Sequence, residues 1–282
     1  MKRGIFSRVV LIIILAYLFF PIIATLLFSL ATKWSTTILP EGYTLSYYQQ
    51  LFNSPEFIQA LLRTIFVSFA TIILSILIII PSMYLAIVYY PRLEKLFEFL
   101  SILPFAMPGV ILAIGLIQMY SKGPLRISNT PWILIGSYFV LILPFMYQAT
   151  KNSFRTINVK ALTEAALMLG CGKLETFVKI IFPNVLRGVV SAALISVSVL
   201  FGEFVLANLL VGDNYETIQI YLYKLQKVDG HTANALVASY FLVILLMSLV
   251  LIWLAFRSEE KAQKRGRKLR TGDRKSKEVI GA

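Results

Sequence analysis

Apolar residues in this chain are gathered into long blocks with few polar interruptions. Six blocks reach the roughly 20 residues that a helix needs to cross a hydrocarbon core of about 30 Å. They lie at 9–31, 57–89, 99–120, 132–148, 189–211 and 235–256. The first is preceded by Lys2, Arg3 and Arg8 and ends in Ser29-Leu30-Ala31, which looks like a cleavage site. Its apolar stretch is about twice that of a secretory signal, so it is read as an uncleaved first span. The second opens with Ser54-Pro55-Glu56, a capping hydroxyl, a first-turn proline and a first-turn acid. It is longer than a bilayer requires and is expected to tilt or project, with a kink at Pro81. Pro104, Pro108 and Pro144 sit inside the third and fourth blocks, where neighbouring helices must cover the backbone groups they free. The expectation is an all-α integral membrane domain of six spans over residues 1–256. A tail over 257–282, basic and without periodicity, is expected to be solvated and disordered.

Composition agrees with the blocks. Hydrophobic residues make up 58% of the chain, above the roughly half expected of a soluble domain, and the mean hydropathy is +0.77. The net charge of +13 could suggest a nucleic-acid partner. The basic residues flank apolar blocks, however, and do not interleave with aromatics on a polar surface, so no nucleic acid is expected and the lipid bilayer is the partner. With the N-terminus inside, 21 of the 27 lysines and arginines fall on cytoplasmic segments and six outside, which places both termini in the cytoplasm. One cysteine, Cys171, and one histidine, His231, exclude an internal disulfide and a multi-ligand zinc site. No metal, cofactor or catalytic residue is expected. Cys171 reads as a packing residue and His231 as a solvated residue of the last external loop.

The segment between the fourth and fifth blocks, about 40 residues long, carries the functional signal. Asn158 can cap a short helix running to Leu169, with Gly170 at the left-handed position that follows a helix end. A second amphipathic helix from Lys173 to Ile181 would end before Pro183. Helix, glycine turn and helix at the membrane surface make a docking knob for a soluble partner. In it Ala165 and Ala166 permit close approach, Leu167 and Leu169 supply apolar contact, and Gly170 allows the reversal. Gly170-Cys171-Gly172-Lys173 resembles a phosphate-binding loop only faintly. Leu167 stands where the pattern needs glycine and Leu174 where it needs a hydroxyl, so this stretch is not a phosphate-binding loop.

Glu164-Ala165-Ala166, Gly170, Ile180 and Pro183 resemble the EAA loop of binding-protein-dependent ABC importer permeases. The spacing is complete, with Phe182 where leucine is usual. The resemblance implies the six-helix permease fold of type I importers, with Glu164, Ala165, Ala166, Leu167, Leu169, Gly170, Ile180 and Pro183 in a coupling helix that fits a cleft of an ATP-hydrolysing subunit. It also implies a second permease chain, an external substrate-binding protein, a bacterial inner-membrane location and transport by alternating access.

Glu203 is the acid set well inside an apolar block. An ionised carboxylate at mid-bilayer costs roughly 2.5–3.5 kcal/mol on insertion scales, so it must face protein or water. Ala192, Ser196, Val199, Glu203 and Ala207 recur at spacings of three and four and would share one mostly small helix face, so Ser196, Glu203 and Ala207 are candidates for lining the pathway. Glu203 could meet a cationic substrate or serve as a hydrogen-bonded structural group. Both readings stay open, and Gly202-Glu203-Phe204 also resembles permeases for oxyanions such as molybdate. Tyr43 to Phe52, Glu203 and Tyr215-Glu216-Thr217 resemble the second permease of spermidine/putrescine importers. Permeases for 2-aminoethylphosphonate, thiamine and ferric iron look similar. A stand-alone secondary transporter would need coupling-ion sites at the midplane. An intramembrane enzyme would need a nucleophile and base or paired metal ligands inside the spans, and the single histidine, in a loop, speaks against it.

Overall fold

The computed structural model describes residues 2–34, 40–122, 126–250 and 252–253. Among the described residues regular structure is helical, and extended pairing is limited to one antiparallel bridge between Ala31 and Tyr43. The basic tail expected over 257–282 lies outside the described residues.

In chain order the helices are α1 (Lys2–Leu30), α2 (Ser46–Asn53), α3 (Pro55–Val88), α4 (Pro91–Ala106), α5 (Gly109–Ser121), α6 (Pro131–Thr156) and α7 (Val159–Met168). A short α8 (Lys173–Glu175) runs through a π-helical stretch, Thr176–Ile181, into α9 (Phe182–Phe201). Then follow α10 (Val205–Leu210), α11 (Ile218–Leu225) and α12 (Gly230–Val250).

Five of these paths are long and apolar enough to cross a membrane: Arg8–Leu30, Pro55–Val88, Pro131–Thr156, Lys173–Phe201 and Gly230–Val250. The third expected span is not one helix. It is α4 and α5, bent by 104° at Met107-Pro108, and it makes the sixth crossing only if the bent pair counts as one. Pro108 explains the break, since it lacks an N–H and forces the residue before it out of the helical region. The fifth span is also redrawn. It starts at Lys173 and stops at Phe201, so Gly202 and Glu203 lie at a break and not inside a helix. At 34 residues α3 measures about 51 Å at 1.5 Å per residue, well beyond the hydrocarbon core.

The chain divides into two compact units, each with its own packing. One comprises Met1–Phe69, Gly109–Ser137 and Phe201–Ile244. Its best-defined apolar cluster joins Leu51, Phe57, Ile218, Leu222, Ala233 and Leu236. Ser54 caps α3 as its sequence suggested: its hydroxyl accepts the Phe57 N–H at 3.2 Å and donates to the Glu56 carboxylate at 2.7 Å. The Thr64 hydroxyl accepts the N–H of Ile218 at 2.8 Å, which fixes α11 on α3. Asp229 caps α12, accepting the His231 N–H at 2.9 Å and the Thr232 hydroxyl. The apolar pattern set the start of this span at residue 235, and the cap moves it back to Gly230. His231 is therefore not a solvated loop residue. It lies in the first turn of α12, half-buried and stacked between Phe28 at 4.3 Å and Tyr47 at 5.1 Å, with Nδ1 3.0 Å from the Phe28 carbonyl oxygen. Side chains from Arg8 to Ile23 of α1 are all exposed. Apolar on every side, this stretch is compatible only with lipid or another membrane helix.

The other unit comprises Ala70–Pro108, Tyr138–Leu200 and, among the described residues, the end of α12 from Leu245 onward. Here α6 and α9 approach closely because position 188 is glycine. A Cβ there would stand 1.7 Å from the Ser153 hydroxyl oxygen and 3.1 Å from the Ala149 carbonyl oxygen. Small residues at such a crossing are how membrane helices gain packing contact, since apolar burial drives little association in lipid.

Candidate functional site: the surface loop and the interrupted helix

The loop lies in the second unit, and its shape follows from its two ends. Asn158 does not cap α7 with its side chain. It adopts the left-handed conformation, φ 48° and ψ 62°, which asparagine tolerates better than most residues, and its carbonyl accepts the Leu162 N–H at 3.1 Å. The helix ends at Met168. Gly170 follows at φ 85°, its N–H bonded to the Leu167 carbonyl at 3.0 Å, while the Cys171 N–H reaches the Ala166 carbonyl at 3.1 Å. That pair of bonds is a Schellman closure, which satisfies the last carbonyls of α7 and turns the chain.

The second helix of the loop does not stop before Pro183. It runs on into the span as α9, and the wide turn at Thr176–Ile181 is the reason. In a regular helix the Pro183 ring would meet the carbonyl four residues back. In the π turn the Phe182 N–H bonds instead to the Phe177 carbonyl, five residues back, and the Asn184 side-chain amide donates to the Ile180 carbonyl at 2.7 Å.

Aromatic packing holds the loop to the end of α3. The Tyr84 ring lies 5.0 Å from Phe177, its hydroxyl 3.4 Å from that of Thr163, and Lys173 sits over the Tyr89 ring at 5.2 Å. Val159, Thr163 and Ala166 form the buried face of α7. Ala166 is thus packed inside its own chain and does not face a partner, which corrects the sequence expectation. Glu164 and Ala165 are exposed, Leu167 is half-buried, and Leu169 is 85% exposed. Ile180 is half-buried and Pro183 exposed. The pattern missed Met168, 88% exposed, which with Leu169 makes an apolar tip, and Leu174, 76% exposed in α8.

Beneath the loop lies a charged group that hydropathy could not reveal. Lys151, only 4% exposed, reaches Glu98 at 2.9 Å and Glu94 at 3.7 Å, with its ammonium over the Tyr147 ring at 5.4 Å. The spacing of the two acids, one helical turn apart on α4, was the available signal.

Glu203 lies in the first unit, at the interruption between α9 and α10. Its two carboxylate oxygens accept the N–H groups of Leu206, at 2.8 Å, and Ala207, at 3.1 Å. On the other side of the break the Phe201 carbonyl accepts a hydrogen bond from the Gln219 side chain at 2.8 Å. Two of the N–H groups and one carbonyl freed by the break are thereby satisfied from within the protein. Gln219 was not found from sequence. Ala207 is buried and packs within α10, which lies against α5 where Gly109 faces Val205 and Leu206. The shared face drawn through Ser196, Glu203 and Ala207 does not form, because the helix is interrupted. Ser196, in the second unit, is buried and turns its hydroxyl back onto the Ala192 carbonyl at 2.8 Å.

The geometry favours a structural role for Glu203. Glu203→Gln, which keeps one acceptor, is expected to assemble and transport as wild type. Glu203→Ala should lose about 0.5–2 kcal/mol of stability with the cap, and Glu203→Lys more. Thermal stability and uptake of the three variants test this, and normal assembly with abolished uptake in Glu203→Gln would restore direct substrate contact.

The family profile described as "Binding-protein-dependent transport system inner membrane component" matches residues 78–264. The 2-aminoethylphosphonate transport system permease protein PhnV of Salmonella paratyphi A is 24% identical over 257 residues, which covers 91% of this chain and 94% of that protein. The spermidine/putrescine transport system permease protein PotC of Haemophilus influenzae is 24% identical over 254 residues, covering 89% and 96%. Among solved structures, a bacterial ABC transporter involved in the import of the acidic polysaccharide alginate has a chain that superposes with a TM-score of 0.64 at 18% identity, over 92% of this chain and 96% of that one. This likeness concerns the fold.

Proposed function

The chain belongs to the family of binding-protein-dependent transport system inner membrane components, and from that premise we propose that its 158–183 loop docks the ATP-hydrolysing subunit of its importer. It is a permease subunit of an ABC import system and not an enzyme. One observation carries the docking assignment: Met168 and Leu169 stand largely exposed on a tightly closed turn, with Leu174 exposed in α8 just past it. Covering a side chain of this kind is worth about 1.5–3 kcal/mol, and an apolar cleft on a soluble partner would supply the cover. A second permease chain would complete the pathway, and an external binding protein would deliver the solute. Purification of the tagged chain from a membrane that expresses its whole transport system should bring down an ATP-hydrolysing subunit. A complex with no such subunit after gentle solubilisation would sink the assignment.

The solute we propose is a small molecule with a primary alkylamine. PotC and PhnV are named for spermidine/putrescine and for 2-aminoethylphosphonate, which share that group. Calorimetric titration of the cognate binding protein with putrescine, spermidine and 2-aminoethylphosphonate should give micromolar or tighter binding for one of them. Binding of none would discard the amine class.

The charge pattern supports both termini in the cytoplasm. With Cys171 replaced, Asn214→Cys should react with an impermeant thiol reagent added to intact cells. Ser276→Cys should react only after permeabilisation, and its labelling in intact cells would reverse the orientation.

A further inference from the structure

Just before α7 the second unit contains a cavity of about 360 Å³, lined by Ile87, Glu94, Phe154, Arg155, Asn158, Val159 and Lys160. Its base is apolar, with Phe154 and Val159 almost fully buried. Its rim carries two exposed cations, Arg155 and Lys160, and the Asn158 amide. Glu94 is the acid in the lining, and Lys151 is shared between it at 3.7 Å and Glu98 at 2.9 Å; with Arg155 and Lys160 the three cations outnumber the two acids, so the balance of charge at the opening is positive. We propose that this cavity seats an acidic side chain of the ATP-hydrolysing subunit, as an electrostatic anchor at the other end of α7 from the apolar tip.

The inference rests on the docking assignment above and adds the partner's chemistry. A carboxylate on a short aliphatic stem would fill part of the cavity: the stem would cover the apolar base, and the charge would meet a guanidinium and an ammonium. The position suits it too, because Lys160 is the second residue of α7 and a subunit that covers Met168 and Leu169 must lie against the same short helix. Charges at the rim of an interface set its salt dependence and orientation, whereas the apolar tip carries no such dependence.

The test uses the intact complex, with the permease tagged and the retained ATP-hydrolysing subunit measured as sodium chloride is raised. Arg155→Gln/Lys160→Gln should weaken retention about tenfold at low salt and flatten its salt dependence. Arg155→Glu/Lys160→Glu should weaken it further. Cross-linking from Lys160→Cys should then identify an aspartate or glutamate on the subunit, and changing that residue to lysine should restore retention to the charge-reversed permease. Unchanged retention in both double variants at every salt concentration would overturn the proposal. So would a loss seen only in nanodiscs containing anionic phospholipid and absent in neutral ones, which would identify a lipid phosphate as the occupant. Gly170→Val separates this outcome from failure of the docking assignment. If it releases the subunit while the cation variants do not, only the cavity assignment falls; if none releases it, the docking assignment falls as well.

Discussion

Gly170→Val is expected to reach the membrane at wild-type level and to lose its ATP-hydrolysing subunit on purification, with retention reduced at least tenfold. The reason is backbone and not space. Position 170 has φ 85°, and a Cβ there would meet nothing within 4 Å. The added Cβ therefore meets no neighbour, but a β-branched residue disfavours the left-handed conformation by roughly 1–2 kcal/mol. The local response is to open the turn, which breaks the bonds from Gly170 to Leu167 and from Cys171 to Ala166. Met168 and Leu169 would then lose the fixed placement that the closed turn gives them. Ala165→Asp should reach a similar end by another route, since Ala165 is exposed and the new charge would be desolvated against the partner. Ala166→Asp serves as a contrast. Its position is 3% exposed within the chain's own packing, so it should lower the yield of folded permease before any question of docking arises. Normal transport and normal subunit retention in both Gly170→Val and Ala165→Asp would remove the coupling role from this loop.

What could be read from sequence here depended on the range of the physics involved. Span existence rests on local hydropathy, and five long paths plus one bent pair match six apolar blocks. The Ser54 cap and the left-handed Gly170 were legible because capping and positive φ are set within four residues. Span ends were not. The start of α12 is fixed by Asp229, which precedes the polar run His231, Thr232 and Asn234 that a hydropathy window discards. The break at Gly202-Glu203 was hidden because the apolar residues continue through it. It depends on Gln219, 18 positions away, to satisfy the Phe201 carbonyl. Pro183 was read as a stop from the rule for regular helices, and the π turn ahead of it lifts that rule. On α7 only Ala166 was misplaced: it shares the buried face of Val159 and Thr163, and Thr163 meets the Tyr84 hydroxyl from 79 positions away.

The double replacement Glu94→Gln/Glu98→Gln is expected to destabilise the permease more than Lys151→Met, although the lysine is the shared partner. The asymmetry lies in hydration. The Lys151 side chain is 5% exposed, whereas Glu94 and Glu98 keep 31% and 52% of theirs. Taking away both carboxylates leaves an ammonium desolvated with only neutral acceptors and the face of Tyr147. Breaking a buried ion pair in this way costs about 3–5 kcal/mol. Removing the lysine instead leaves two acids that can turn toward water, and methionine fills the path of the aliphatic stem. What is lost is then one cation–π contact and a partly hydrated pair, on the order of 1 kcal/mol. The triple replacement, which leaves neither charge, should recover most of the stability lost in the double, because the penalty belongs to the unpaired ammonium and not to the missing bond. Thermal unfolding of the solubilised permease measures all three, and a Lys151→Met variant less stable than the double would refute the argument. The consequence reaches the docking loop. Lys151 ties α4 to α6 one turn before Arg155 and two turns before α7 begins, so freeing it should loosen the base on which the loop stands. The double variant should accordingly retain its ATP-hydrolysing subunit less well than Lys151→Met does, by a margin that closes again in the triple.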